Sequence, residues 1–195
     1  MAGYTVIADV GNTLVRLLRE HMVPEVILHE DEIGLCSPAD KGDFRLGLYL
    51  YDIKESEEVF ENGMRLAGPG LQKRPSKYLD LYYMLTAYSM SDVKFRSEEE
   101  HRILGRAMQV FMDYGLLQEN FYGDEQGRYQ VKIEQMRLNY DEKMKLWNMP
   151  NVPYRLSVYY KVFPIELVST REKNVQRVKQ VDMELVEKER RMGMR

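Results

Sequence analysis

YLDLYYMLTAYSMSD, residues 78–92, is the most apolar and aromatic run in the chain. It is too short to cross a bilayer, which takes about twenty apolar residues. Its Tyr and Leu content suits a strand that is apolar on both faces, and therefore a central one. In the stretch after it, Glu98 to Tyr114, the residues Ile103, Leu104, Ala107, Val110, Phe111 and Tyr114 fall on one helical stripe. Ser97-Glu98-Glu99-Glu100 has the capping-box spacing of a helix start, and Gly115 suits its end. This strand and helix predict the core of one small domain.

Working outward, residues 5–21 read as an amphipathic helix with Ile7, Val10, Leu14, Leu17 and Leu18 on one face, Thr5 as N-cap and Pro24 beyond the end. Val26 to Cys36 reads as a modest strand, and 37–43 as a loop. Phe44 to Ile53 is a clean strand: Phe44, Leu46, Leu48 and Leu50 face one way, while Tyr49 and Tyr51 on the other side call for a helix or a partner to cover them. Residues 54–76 are charged, then punctuated by Gly and Pro, and read as a long irregular connection. Tyr129, Val131 and Ile133 alternate in a short strand. Asn139-Tyr140-Asp141-Glu142 is a second capping box, opening a short helix with Met144 and Trp147. Tyr154 to Val168 is the last strand, in which Pro164 demands an edge position or a bend. The prediction is an α+β fold, a mostly antiparallel sheet of about four to five strands with helices packed on one face. Residues 1–170 form the domain, and 171–195 a charged C-terminal arm with a thin helical stripe at Val175, Val178, Leu185 and Val186.

Composition removes several functions. A net charge of −3, from 28 basic and 31 acidic residues, argues against a dedicated nucleic-acid binder. The lone Cys36 rules out an internal disulfide and a multi-cysteine zinc site, and fits a reducing compartment. The N-terminus has no secretory pattern, so assembly in the cytoplasm is expected. The 14 tyrosines and 13 methionines suit either a packed interior or adaptable contact surfaces.

Motifs with chemical potential are few. Asp9-Val10-Gly11-Asn12-Thr13 resembles a phosphate-binding turn or a phosphatase nucleophile loop, but it lies within a helical pattern and lacks the second acid two residues on. His21, His29 and His101 are scattered. Glu98, Glu99 and Glu100 suit a helix first turn better than acid–base catalysis. No catalytic, cofactor or metal residues are assigned.

Four segments together carry a family resemblance: SPADKGDFRLGLYLYDI (37–53), LDLYYMLTAYSMSD (79–92), EEEHRILGRAMQVF (98–111) and LWNMPNVPYRLSVYYKVFPIELVSTR (146–171). In that order they resemble the cap, or tail-terminator, proteins of contractile injection systems, the phage-tail-like particles. The resemblance covers nearly all of residues 1–171 and is to the family's N-terminal domain type; an extra module carried by longer members is expected to be absent. It implies a structural protein without catalysis or cofactor. Such a protein forms a six-fold ring of identical copies on the end of the inner tube, stops tube polymerisation and contacts the last sheath layer. The implied partners are the chain itself, the tube protein and the sheath protein, with no nucleic acid and no membrane. The particle's release from the cell is left open. An assembly chaperone or interaction module for such particles is the alternative. Within this picture Tyr49, Tyr51 and Tyr159 are candidates for the ring interface. Met64, Leu66, Lys73 and Arg74 in the loop 62–77 are candidates for the tube end or lumen. Arg171, Lys173, Arg177, Lys179 and Leu185 are candidates for a sheath-contacting arm.

Overall fold

The computed structural model describes residues 3–61, 63–68, 71–117 and 129–174. The run around residue 78 becomes β5 (Lys77–Ala87), the centre of a six-stranded sheet. Its neighbours are β2 (Leu46–Glu55) and β8 (Ser157–Leu167), both antiparallel to it. β1 (Ile33–Leu35) extends the sheet beyond β2 in parallel, and β7 (Val131–Gln135) and β6 (Leu116–Leu117) extend it beyond β8. The order is β1-β2-β5-β8-β7-β6. The α+β fold and the mainly antiparallel pairing are as expected, with more strands than the four to five foreseen.

Two long helices, α1 (Val6–Met22) and α2 (Val93–Asp113), cover one face. Val10, Leu14 and Leu18 of α1 meet Leu46, Leu48, Leu81, Tyr83 and Leu85 of the sheet, and Ile103, Ala107, Val110 and Phe111 of α2 complete this main core. The Phe111 and Tyr160 rings meet edge to face with centroids 4.9 Å apart. The short helix α3 (Tyr140–Leu146) and the turn after it lie on the other face. Its start obeys the local rule: Asn139 Oδ1 accepts from the Glu142 amide at 2.9 Å, and Glu142 accepts from the Asn139 amide at 2.7 Å.

Several boundaries differ from the sequence reading. The strand expected over 26–36 shrinks to three residues, preceded by a tight helical turn at 30–32. α2 begins at Val93, not near Glu98. The acids that mimicked a cap lie one turn inside and reach sideways. Glu99 takes Arg45 and the Ser89 hydroxyl, and Glu100 takes Arg155 at 2.8 Å and the Ser89 amide at 3.2 Å. Pro164 sits in an interior strand, and the bend does the accommodating. Phe163 and Pro164 of β8 lie between the registered pairs Leu79–Ile165 and Leu81–Val162, opposite the single residue Asp80, which is a β-bulge. The connection over 54–76 is not irregular throughout. It contains β3 (Arg65–Gly68) and β4 (Leu71–Lys73), which form a second, three-stranded sheet with β9 (Glu172–Asn174).

The Asp9–Thr13 run lies wholly in α1. Asp9 accepts a 2.8 Å hydrogen bond from the Thr5 hydroxyl, and Gly11 is a contact glycine: a Cβ there would come within 3.0 Å of Leu35 and 3.6 Å of the Tyr83 hydroxyl. Gly105, inside α2, is the opposite case. A Cβ built on it meets nothing within 4 Å. An interior helical glycine costs about 0.5–1 kcal/mol against alanine. Gly105→Ala is therefore expected to raise the unfolding free energy by that amount in a denaturant titration. A neutral or destabilising result would mean the position is constrained within the protomer.

Candidate assembly interface

The face of the sheet opposite α1 and α2 carries the three tyrosines singled out above. Strand alternation places Tyr49 and Tyr51 of β2 beside Met84 of β5, which is paired with Tyr159 of β8. Trp147, at the end of α3, drops onto Met84 and Tyr159, with Met136, Leu138, Leu146, Met149 and Val152 around them. Tyr159 is 1 % exposed and meets the edge of Tyr51 with centroids 6.0 Å apart. Burial raises the pKa of its phenol. Tyr159 is thus a core residue, a correction to its place among ring contacts. A side chain already enclosed by its own protomer has no surface to offer. Tyr49 and Tyr51 are half-buried. The Tyr51 phenol is pushed up to about 12, first by burial and then by Tyr159 and Asp52 nearby.

The candidate loop and the candidate arm, about a hundred residues apart in sequence, come together in the second sheet. β4 lies between β3 and β9, with Arg65 opposite Lys73, and Lys73 opposite Glu172. Lys73 Nζ is 3.4 Å from the Glu172 carboxylate, and the Arg74 amide donates to the Arg171 carbonyl at 3.4 Å. Lys173 is registered with Gln72. Leu66 belongs to β3 through its backbone pairing, and Met64 is 42 % exposed just before that strand. Arg177, Lys179 and Leu185 lie outside the described residues. The sequence reading treated the loop and arm as separate contact elements and missed that they form one unit. Three-residue strands leave too short an alternation to be read.

A strap, residues 56–61, joins β2 to this hairpin and is held down by charge. The Lys161 ammonium donates to Glu58 at 2.9 Å and sits 3.0 Å from Asp80, 3.7 Å from the Phe163 ring centroid. The Tyr78 hydroxyl lies 3.3 Å from a Glu61 oxygen, and the Ser56 amide donates to the Tyr78 carbonyl at 2.7 Å. At the other end of the sheet, burial works to raise the Glu99 pKa, but the Ser89 and Ser91 hydroxyls and the Arg45 guanidinium together hold it below the usual carboxylate range. A depressed carboxylate stabilises the fold above its unfolded pKa of about 4.3 and loses that contribution as pH falls through the folded value. Glu99→Gln is expected to cost about 1–2 kcal/mol near neutrality. The gap to wild type should close on acidification below about pH 4. A gap that is constant over that range would assign the cost to shape and not to charge.

Among the described residues no group of His, Cys, Asp and Glu is arranged to hold a metal ion, and no helix is long and apolar enough to cross a membrane. Cys36 is half-buried, and its thiol is raised to about 11 by burial. His21 stacks on Tyr114 at 4.2 Å.

The family model described as the Pvc16 N-terminal domain matches residues 9–180. The chain belongs to this family. The matched span takes in α1 from Asp9 onward, the whole main sheet, the hairpin and β9. Among solved structures, the fold is similar to the sheath/tube terminator of an extracellular contractile injection system, PVC, in its extended state. The TM-score is 0.66 at 13 % identity, over 94 % of this chain and 64 % of that one. It is also similar to the tube-terminating cap of the anti-feeding prophage, with a TM-score of 0.59 at 18 % identity, over 91 % of this chain and 61 % of that one. At such identities the likeness establishes the fold. The chain spans a little under two thirds of either protein. No curated protein sequence matches it.

Proposed function

We propose that this chain is the tube-terminating cap of a contractile injection system. The observation that carries the reading is the sharing of one fold, over 94 % of this chain, with a sheath/tube terminator, together with membership of the Pvc16 N-terminal domain family. In this reading identical copies form a six-fold ring on the distal end of the inner tube, arrest its polymerisation and meet the last sheath layer. The work is done by binding surfaces and not by a reaction. No cofactor, nucleic acid or membrane enters it, and the chain is made and assembled in the cytoplasm before it becomes part of the particle.

The second sheet is the part best suited to touch the tube and the sheath together, because β4 joins the hairpin to the start of the arm. Met64, Leu66, Lys73 and Arg74 of the hairpin meet the tube end or the lumen. Arg171 and Lys173 lead into the arm, whose Arg177, Lys179 and Leu185 meet the sheath. Tyr49 and Tyr51 retain enough surface to border a neighbouring copy. A domain over 1–170 with an arm from 171 follows from the same scheme, and β9 is the arm's root on the domain.

The test is omission of the chain from otherwise complete particles, scored by electron microscopy. Tubes of uncontrolled length with open distal ends are expected, and restoring the chain should return a uniform length. Tubes of unchanged length with closed ends would remove the cap reading. Loss of the chain from finished particles, with tube length corrected by its transient presence, would favour a chaperone.

A further inference from the structure

A ring of identical copies joins each protomer to the next through two different surfaces. One candidate for the first lies where α2 parts from the β7–β8 edge. Leu104, Gly105, Met108, Met136 and Leu156 line an open groove of about 390 Å³. His101 and Lys143 also line it, and no acid does. The groove continues past Gly105 and Met108 to Met112, which is 74 % exposed. Gly105 gives it a bare floor, at a helix position where a Cβ would meet nothing inside the protomer. Lys143 makes no ion pair among the described residues, and neither do Lys132, Arg137 and Lys145, which lie on the same stretch of chain over β7 and α3. Of the acids here Glu134 lines the continuation of the groove, and Asp141 and Glu142 stand at the start of α3, where Glu142 is spent on the cap.

The opposite edge of the sheet has the complementary character. β1 is the last strand on that side. Beside it Leu28 is 64 % and Leu35 42 % exposed. Glu30, Asp31, Asp40 and Asp43 are exposed and make no ion pair among the described residues. The cations close to this edge are Arg16 and Arg19, which share a cavity with Glu30, and Lys41. Arg19 donates to the Ile33 carbonyl at 2.6 Å, Arg16 pairs with Glu20 at 3.6 Å, and Lys41 donates to the Gly42 carbonyl at 3.0 Å. An apolar side chain flanked by acids that make no ion pair thus stands at one end of the strand order, and an apolar groove lined by His101 and Lys143 at the other.

We propose that the groove beneath Gly105 receives the Leu28–Asp31 segment of a neighbouring copy of this chain. Leu28 fills the groove against Met108 and Leu156, while Glu30 and Asp31 meet Lys143 and His101 on its lining, with Lys145 further along α3. Because the two surfaces lie at opposite edges of one sheet, the contact is head to tail and leaves each copy with one of each to offer. That is the arrangement from which a closed ring is built. Rim charges of this kind set orientation and partner choice, while the seated apolar side chain excludes water. The inference rests on the ring reading above and names the surfaces that would make the ring.

The experiment is carbodiimide coupling of the purified full chain, which joins an ammonium to a carboxylate only when they touch. A mixture of isotopically light and heavy chain identifies coupling between copies. The expected result is a ladder of oligomers in which Lys143 or Lys145 of one copy is joined to Glu30 or Asp31 of another. Lys143→Glu with Lys145→Glu is expected to abolish this coupling, because it removes the coupled amines and reverses the charge facing Glu30 and Asp31. Adding Glu30→Lys and Asp31→Lys in the same chain should restore it to within about threefold. A ladder joined through other residues, no ladder at all, or a charge-reversed chain that couples like wild type would each overturn the proposal. Failure of the cap reading has a separate signature, namely unchanged tube length when the chain is omitted.

Discussion

Lys161→Ala is expected to destabilise the protomer by about 3 kcal/mol, the cost of leaving a buried charge without its partner. Asp80 is 4 % exposed and occupies the single-residue side of the bulge in β5 and β8. One of its oxygens lies 3.0 Å from the Lys161 ammonium, and the other has no partner. Removing the ammonium leaves this buried carboxylate without a partner. The same change also frees Glu58, but Glu58 is half-exposed, and an exposed pair is worth only about 0–1 kcal/mol. The attribution is testable by a double-mutant cycle. Asp80→Ala combined with Lys161→Ala is expected to recover about 2 kcal/mol of the single-mutant loss, since no uncompensated charge remains. Strict additivity of the two single effects would show that packing at the bulge, and not the charge, is what matters.

The pH dependence of this pair has a definite sign. Burial works against the charged form of Lys161, but the hydrogen bonds to Glu58 and Asp80 outweigh it and raise its pKa. A raised lysine stabilises the fold fully below its unfolded value of about 10.4 and loses that contribution as pH rises through the folded value. The stability difference between wild type and Lys161→Met should hold from neutrality to about pH 10 and narrow only beyond it. Since Lys161 also holds the strap that leads to β3, its loss is expected to loosen the hairpin before the main sheet, visible as faster amide exchange over residues 56–61.

Legibility in the sequence followed the range of the interaction that decided each element. β5 could be read from composition because a strand flanked on both edges and covered on both faces has little room for polar residues. β2 could be read because Leu46, Leu48 and Leu50 keep strict alternation on the main-core side. The α3 start could be read because both partners of its capping box lie within four residues. The α2 start could not. Glu99 and Glu100 have the spacing of a cap but are committed to Arg45 and Arg155, contacts that only the folded chain brings together. β4 and β9 were hidden for the same reason, being three residues each and joined across about half of the chain length. Among the candidate contact residues, alternation put Tyr51 and Tyr159 on one face but could not say what covers that face. The cover comes from Trp147, through a contact that is local to neither strand. The groove beside Gly105 had no signal except an unexplained glycine in a helical stripe.

Trp147→Ala is expected to cost about 3 kcal/mol, in the range for emptying a buried aromatic site, and to lower the melting temperature by roughly 10 °C for a chain of this size. Trp147 is 4 % exposed and is the largest side chain in the second cluster, where it bridges α3 to Met84 and Tyr159. α3 itself is only seven residues long and buries none of its own residues fully. A helix of that length has little stability in isolation, so without its anchor the segment from Met136 to Val152 should undock as a unit. The expected signature is new proteolytic cleavage between residues 137 and 152 with the main core still protected, because Leu81, Tyr83 and Leu85 face the other way into the α1 and α2 layer. Trp147→Phe should retain most of the stability, as an aromatic filler of similar shape. Undocking would also bare Tyr51 and Tyr159 and carry Lys143 and Lys145 away from the groove. The alanine variant is therefore expected to lose coupling between copies as well as stability, whereas the phenylalanine variant keeps both. If Trp147→Ala unfolds the whole chain in one step with no protected fragment, the two faces of the sheet form one cooperative core. If it leaves both stability and coupling unchanged, α3 is held by contacts other than its tryptophan.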